Sequence, residues 1–299
     1  MTRRFATLDV FTARPLAGNP LAEVLDADGL DGDAMQAIAR EFNLSETVFV
    51  LPPREGRHRA RLRIFTPAHE LPFAGHPTVG AAVLLALQDL ALLDSAVADA
   101  RAFGLEEGIG TVPCLVETFP DRSGGRARFK LPALPSYLGP GPEPEVIAPL
   151  IGLDPADIGH GRHRPSRHGV GPRFTCVPVR SVARLDAARI ATAPEAGDGL
   201  YLYAPDPEGR GQSWCARMFA PGLGVPEDPA TGSAAAAFAG VLMQFERLGE
   251  GTHEVAIRQG LAMGRPSEIA VQLDVASGAL RSVEVGGSAV LVSEGTLRV

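Results

Sequence analysis

Six side chains in this 299-residue chain combine types and spacing suited to moving a proton beside an anion: Glu46, Glu70, His76, Glu227, Asp228 and Ser233. Five of them lie on two short stretches that repeat one another. Glu70-Leu-Pro72-Phe-Ala-Gly75-His76 matches Glu227-Asp-Pro229-Ala-Thr-Gly232-Ser233, with every matched position offset by 157 residues. Each stretch leads into small or apolar residues, Val79 to Leu87 in one case and Ala234 to Leu242 in the other. Gly and Pro shape a loop, Thr231 and Ser233 are capping types, and the alanine run packs closely, so both stretches read as a loop feeding a buried helix. The first turn of a helix leaves N–H groups unpaired at the positive end of the dipole, which suits a carboxylate or phosphate. Carboxylates and a histidine around such an anion site are the parts that proton abstraction next to a carboxylate requires. A histidine near a helix start tends to stay neutral, so His76 serves as a hydrogen-bond donor or relay as readily as an acid; a plain capping role competes with both.

The elements that would position these groups repeat as well. Arg63-Ile-Phe65-Thr-Pro67 and Arg217-Met-Phe219-Ala-Pro221 precede the two loops, three residues out of the 157-residue register. Two nested matches in the same order point to a chain built from two copies of one unit, with the anion site expected where the two helix starts face each other. Glu46 stands outside this scheme, since no counterpart for it is found in the second half. It opens the apolar run Glu46 to Leu51, and is either a strand-end glutamate facing water or a carboxylate held at the mouth of a pocket.

Along the chain, Phe5 to Val10 and Leu21 to Leu25 read as a hairpin around the turn Gly18-Asn19-Pro20, and Ala34 to Phe42 as an amphipathic helix stopped by Asn43. Strands are expected at Arg59 to Phe65, Gly110 to Phe119, Arg126 to Leu131, Phe174 to Val179, Gly199 to Tyr203 and Ser213 to Phe219. Late strands follow at 253–258, 269–275, 280–285 and 289–292, with short helices at 145–150 and 185–190. The Pro- and Gly-rich stretch 132–144 is expected to wrap the surface. The fold class is therefore α+β, as two pseudo-symmetric lobes, each a curled, mixed and mostly antiparallel sheet around a central helix. The lobes are placed at 1–120 and 121–285, with a final strand of about 286–299 returning to the first.

Composition narrows the function. A net charge of −7, 45% hydrophobic and 21% charged residues describe a compact protein without a basic face for nucleic acid. No apolar run reaches the ~18 residues of a membrane span and no export signal is read, which places the chain in the cytoplasm. Cys114, Cys176 and Cys215 are odd in number and far apart, so buried free thiols are expected rather than disulfides or zinc. Lys130 is the single lysine beside 27 arginines and sits in an alternating strand, a poor Schiff base for pyridoxal phosphate. His160, His163 and His168 fall in an arginine-rich segment with no carboxylate or cysteine nearby, which favours an exposed or substrate-proximal loop over a metal site.

Five stretches together resemble the phenazine biosynthesis PhzF family: Phe11-Thr-x-x-Pro15-x-x-Gly18-Asn19-Pro20, Asn43-Leu-Ser-Glu46-Thr, Phe65 through Pro77, Glu227 through Ser233, and Gln259-Gly-x-x-Met263-Gly-Arg265. The resemblance runs from residue 5 to Gly295. It implies the two-lobed diaminopimelate epimerase-like fold, a site in the cleft between lobes, a homodimer, and no metal or organic cofactor. It further implies that Glu46 is the acid/base, with His76 and Asp228 beside it and Asn19, Gly75, Gly232 and Ser233 binding a small carboxylate substrate. In the phenazine-making member the reaction is isomerisation of trans-2,3-dihydro-3-hydroxyanthranilate. Epimerases of this fold place a thiol at each helix start, whereas the loops here carry no cysteine, which excludes two-thiol racemisation. A non-catalytic small-anion binding protein is the alternative; it would need the helix starts but not a proton-carrying Glu46.

Overall fold

Alternating apolar residues dominate the first third of the chain and become strands. The computed structural model describes residues 2–93, 100–190, 198–223 and 225–299. Its contacts divide the chain into two compact units, Met1–Pro132 with Gly286–Val299, and Ala133–Val285. The first contains β1 (Thr2–Val10), β2 (Asn19–Val24), α1 (Gly32–Phe42), β3 (Glu46–Leu51), β4 (Ala60–Phe65), β5 (Glu70–Leu71), α2 (Gly75–Leu93), β6 (Ala100–Glu107), β7 (Gly110–Thr118) and β8 (Gly124–Lys130). The second contains β9 (Ser136–Pro140), α3 (Pro144–Leu150), β10 (Ser166–Gly169), β11 (Arg173–Pro178), α4 (Val182–Ala187), β12 (Gly199–Pro205), β13 (Gln212–Ala220), β14 (Val225–Asp228), α5 (Gly232–Phe245), β15 (Gly251–Gln259) and β16 (Ser267–Ala276). A last strand, β17 (Ala279–Arg298), pairs antiparallel with β1 from Ala289 to Arg298.

The strand pairing within each unit is mixed, and the two units are connected alike. In the first unit β1–β2 is antiparallel, β2–β3 parallel, β3–β4 and β4–β5 antiparallel, β4–β6 parallel and β6–β7 antiparallel. In the second the series β10–β11, β11–β12, β12–β13, β13–β14, β13–β15 and β15–β16 follows the same pattern of directions. The amphipathic helices α1 and α4 sit between the parallel pairs, and α2 and α5 follow the short fifth strand of each series.

These last two helices are apolar all round, so they must be covered on most sides. α2 packs against β1, β2, β3, β6, β7 and β8, burying Val79, Val83, Leu84, Leu85 and Leu90. Each large side chain of this kind contributes about 1.5–3 kcal/mol on leaving water. α5 packs against β9, β10, β11 and β16 through Ala234 to Ala237, Phe238, Val241 and Leu242. Small residues permit the close approach: a Cβ on Gly80 of α2 would lie 2.5 Å from Leu21 of β2.

Local chemistry sets the helix ends. Asp31 caps α1 by accepting from the Ala34 N–H at 2.8 Å, and Asn43 ends it in the left-handed conformation, φ 52°.

Several expectations change. The run 124–130, assigned by sequence to the second half, is β8 and pairs with β7, so it belongs to the first unit. The stretch 132–144 contains strand β9, paired with β10. Helix α4 spans Val182–Ala187 rather than 185–190, because Ser181 caps it. The two final strands are one, β17.

The histidine segment is not an exposed loop. His163 is buried, its Nδ1 2.9 Å from the Tyr203 hydroxyl and its Nε2 2.8 Å from Glu246, with His160 stacked on it at 4.5 Å. His168 is buried beside Ser166 at 3.2 Å. Burial lowers the basicity of all three, to about 4 for His160 and His168; His160 and His163 pack as neutral rings against Tyr203 and Trp214, and His168 against Tyr137. Burial also explains the three free thiols, Cys114, Cys176 and Cys215. Among the described residues no helix is long and apolar enough to cross a membrane.

Candidate active site

The start of α2 brings together two groups that the sequence holds 30 positions apart. Glu46 is the first residue of β3, and its carboxylate Oε2 lies 3.5 Å from Nε2 of His76, the second residue of α2. The parallel pairing of β3 with β2, Leu21 opposite Glu46, puts the carboxylate at the end of an apolar strand. Glu46 keeps 18% of its side chain exposed and His76 only 5%, so the carboxylate is open to a small molecule while the imidazole is walled in. Burial drives the His76 pKa down to about 3, and the ring is neutral at physiological pH. At 3.5 Å the two groups are in contact without a good hydrogen bond, a geometry that a bound substrate can tighten.

Asn19 and Gly75, the other expected binding residues of the first half, lie in the same unit. Asn19 begins β2 opposite Val10 and is fully buried. The preceding Gly18 has φ 64°, and a Cβ there would fall 2.3 Å from the Val10 carbonyl oxygen; only glycine can turn the chain into Asn19 at this point. Gly75, also buried, is the first helical residue.

In the second unit Asp228 ends β14 and Gly232 and Ser233 begin α5. Asp228 is 8% exposed and accepts a hydrogen bond from the Thr231 hydroxyl at 2.5 Å. That bond explains a departure from the expected cap: Thr231 stands at the N-cap of α5 but makes no side-chain cap bond, because its hydroxyl is committed to Asp228. Gln259, fully buried, ties the turn together by donating to the Asp228 carbonyl at 2.8 Å and to the Thr231 hydroxyl at 3.1 Å. Gly224, within the same sequence stretch, lies outside the described residues.

Glu70 and Glu227 are brought to neither group of site residues by hydrogen bonding; they hold their loops. Arg63 donates from Nε and Nη2 to both oxygens of Glu70 at 2.7 Å, and Arg217 does the same to Glu227 at 2.8 and 2.9 Å. Each guanidinium also lies over a phenylalanine of its own strand, Phe65 at 5.0 Å and Phe219 at 4.7 Å. The Arg63 partner lowers the Glu70 pKa.

Sequence reasoning missed three of the buried polar residues, Glu23 of β2, Thr78 of α2 and Glu107 of β6, and also the Thr231 bond to Asp228. The doubled Glu106-Glu107 at a strand end was a usable signal, since alternation must turn one of the two inward. Among the described residues no group of three or more His, Cys, Asp or Glu side chains is placed to hold a metal ion.

Known proteins are similar to this chain along nearly its whole length. The family described as phenazine biosynthesis-like protein, PhzC-PhzF, matches residues 8–295. An uncharacterized isomerase of Mesorhizobium japonicum is 46% identical over 99% of both chains. The trans-2,3-dihydro-3-hydroxyanthranilate isomerase of Pseudomonas aeruginosa is 36% identical over 98% of both. A Bacillus anthracis phenazine biosynthesis protein of the PhzF family, 24% identical, shares the fold with a TM-score of 0.86 over 100% of both chains. A family match along nearly the whole chain, joined by relatives well above 30% identity, leads to one conclusion: this protein is an isomerase belonging to the PhzF-like family.

Proposed function

We propose that the protein is a cofactor-independent isomerase that moves a proton on a small carboxylate-bearing substrate, with Glu46 as the acid/base. The observation that carries the reading is the Glu46–His76 contact: a partly exposed carboxylate 3.5 Å from a buried, neutral imidazole at a helix start. A 1,3-type isomerisation of a carbon acid needs one group that takes a proton from one carbon and returns it to another. Glu46 is the group with access and with a fixed partner. Neutral His76 can donate an N–H to the Glu46 carboxylate or accept from its protonated form, which leaves Glu46 a base before the transfer and an acid after it. Substrate-holding groups are assigned in each unit: Asn19 and Gly75 in the first, and Asp228 with Gly232 and Ser233 at the start of α5 in the second.

By analogy with the 36%-identical relative, the substrate is trans-2,3-dihydro-3-hydroxyanthranilate or a molecule of the same kind, an amino- or hydroxy-substituted cyclic carboxylate, and phenazine synthesis is the process. The matching strand directions in the two units support pseudo-symmetric lobes that descend from one repeated element, each with α2 or α5 at its centre. The same reading takes the working form to be a cytoplasmic homodimer, which light scattering of the purified protein measures.

Incubation of the protein with trans-2,3-dihydro-3-hydroxyanthranilate in heavy water, followed by NMR, tests the reaction. Isomerised product with deuterium at the protonated carbon is expected. Tight binding of that compound or of anthranilate with neither turnover nor deuterium uptake would instead favour the non-catalytic small-anion binding protein.

A further inference from the structure

Strand β6 ends in two neighbouring glutamates that its alternation sends to opposite faces. Glu106 points outward and accepts from the backbone N–H groups of Glu55 at 2.8 Å and Arg54 at 2.9 Å, with His58 at 2.9 Å; these bonds hold its carboxyl down at about 2. Glu107 points inward and is 8% exposed. Its Oε1 lies 2.8 Å from the Thr78 hydroxyl, and its Oε2 is buried with no hydrogen-bond partner among the described residues.

Counting protons decides the state of this carboxyl. The Thr78 oxygen is also 2.8 Å from the carbonyl oxygen of Ala74, one turn back at the start of α2. A hydroxyl has a single proton to donate. If Thr78 gives it to Ala74, as serine and threonine commonly do within a helix, the second short contact needs a proton from Glu107. If Thr78 gives it to an ionised Glu107, two oxygen atoms meet at 2.8 Å with nothing between them. Both contacts are satisfied together only when Glu107 is a neutral acid. Burial acts in the same direction, raising its pKa to about 8 against the opposing Thr78 bond.

Among the described residues no nearby charge offsets an ionised Glu107. From β7 the adjacent group is the Cys114 thiol, which burial and Glu107 push up. From β4, paired with β6, the inward side chains are Ala60, Leu62 and Ile64. From β8 they are Ala127 and Phe129, its Arg126, Arg128 and Lys130 being exposed. On α2 itself the titratable groups are His76, held neutral, and Asp89, bound to Arg59 at 2.7 Å. The other inward acid, Glu23, belongs to β2 and faces α2 at Gly80, where a Cβ would lie 3.2 Å from its Oε1.

We infer that Glu107 is a positioning residue: as a neutral acid it donates to Thr78, fixes the turn from Ala74 to Thr78 that presents His76, and on losing its proton releases that turn and weakens the site. The inference rests on the assignment of the chemistry to Glu46 and His76. Ionisation does two things at once. It draws the Thr78 proton away from Ala74, and it places a negative charge beside the helix start that a substrate carboxylate would use.

The test is a pH profile of kcat/KM with trans-2,3-dihydro-3-hydroxyanthranilate for wild type, E107Q, Thr78→Val and Thr78→Ser. Wild type should lose activity with a midpoint near pH 8, falling about tenfold per pH unit beyond it. The amide of E107Q donates to Thr78 at every pH, so this limb should be missing and the ratio of activities at about pH 9 and about pH 7 should rise roughly tenfold over wild type. Thr78→Val should lower kcat more than it changes KM, and Thr78→Ser should restore it. Calorimetric binding of anthranilate at the same two pH values gives the corresponding ratio without turnover, which separates failure of this inference from failure of the isomerase reading. Infrared difference spectra of the substrate-free protein should show a protonated-carboxyl band that E107Q removes and that wild type loses as pH rises through 8; Glu23→Gln identifies the contribution of the other buried acid. A wild-type alkaline limb retained in E107Q, or a Glu107 carboxyl already ionised at about pH 6, would overturn the inference.

Discussion

The two copies of the strand–loop–helix element keep one device and differ at the candidate site positions. The kept device is the bidentate Arg–Glu clamp, Arg63 with Glu70 and Arg217 with Glu227. The changed residues follow from strand pairing. Arg63 lies opposite Phe49 and Arg217 opposite Leu202, so three residues back along the neighbouring strand Glu46 corresponds to Gly199. Ile64 pairs with Leu71 and Met218 with Asp228, which makes Leu71 the counterpart of Asp228. His76 corresponds to Ser233 by the repeat itself. The register also explains why the upstream match slips by three residues: the second copy inserts a short 3-10 turn at Pro221–Leu223 between its two paired strands, where the first copy turns directly. On the proposed reading, the repeated scaffold carries an acid/base at one of two matched strand starts, and proton transfer in one direction across a substrate needs that inequality.

The largest effect is expected where the copies differ most. Glu46→Gln retains size and a hydrogen bond but cannot carry the proton, and turnover should fall ~10²- to 10⁴-fold with substrate affinity much less affected. Near wild-type turnover in Glu46→Gln, together with a collapse in Asp228→Asn, would transfer the base to the second copy.

The clamps should differ in strength although they look alike. Arg217 keeps 6% of its side chain exposed and also donates to the carbonyls of Leu185 and Ala188 at 3.0 and 2.8 Å, whereas Arg63 is 29% exposed and Glu70 42%. Arg217→Met leaves a half-buried carboxylate and several carbonyls unpaired and should cost about 3 kcal/mol in urea unfolding. Arg63→Met, better solvated, should cost about 1 kcal/mol or less. Equal losses would mean that the extra carbonyl bonds of Arg217 contribute nothing.

Gly199 should resist becoming like Glu46. A Cβ there meets the Phe174 ring at 3.0 Å, so Gly199→Ala is expected to lower stability by about 1–3 kcal/mol, by thermal unfolding. A neutral outcome would show that the ring moves aside and that the second copy has room for a side chain at its strand start.

The smallest effect is a slope. His76 has a folded pKa of about 3 against 6.5 when unfolded, so between these values the unfolded chain binds the proton and the folded one does not. Stability should therefore fall as pH drops below 6.5 and level off near 3, by at most on the order of 1 kcal/mol per pH unit. In His76→Asn that part of the slope should disappear, while Ser233→Ala should leave it unchanged.

Much of this was legible before any coordinates. The repeat, the two buried helices and the strand beginning at Glu46 follow from residue order, because helix starts, turns and apolar periodicity are local effects of neighbouring residues. Motif resemblance named Glu46, His76 and Asp228 and the isomerase family. The tertiary structure alone decided which polar groups are buried and what they touch. It turned the histidine segment from an expected loop into neutral core, moved β8 into the first unit by pairing it with β7, and took the Thr231 hydroxyl from the helix cap to Asp228. Glu106 and Glu107 are adjacent and chemically identical in the sequence, yet one is a carboxylate with a pKa of about 2 and the other titrates at about 8. Protonation depends on desolvation and on hydrogen bonds from residues distant in sequence, Arg54 and Glu55 for the first and Thr78 for the second.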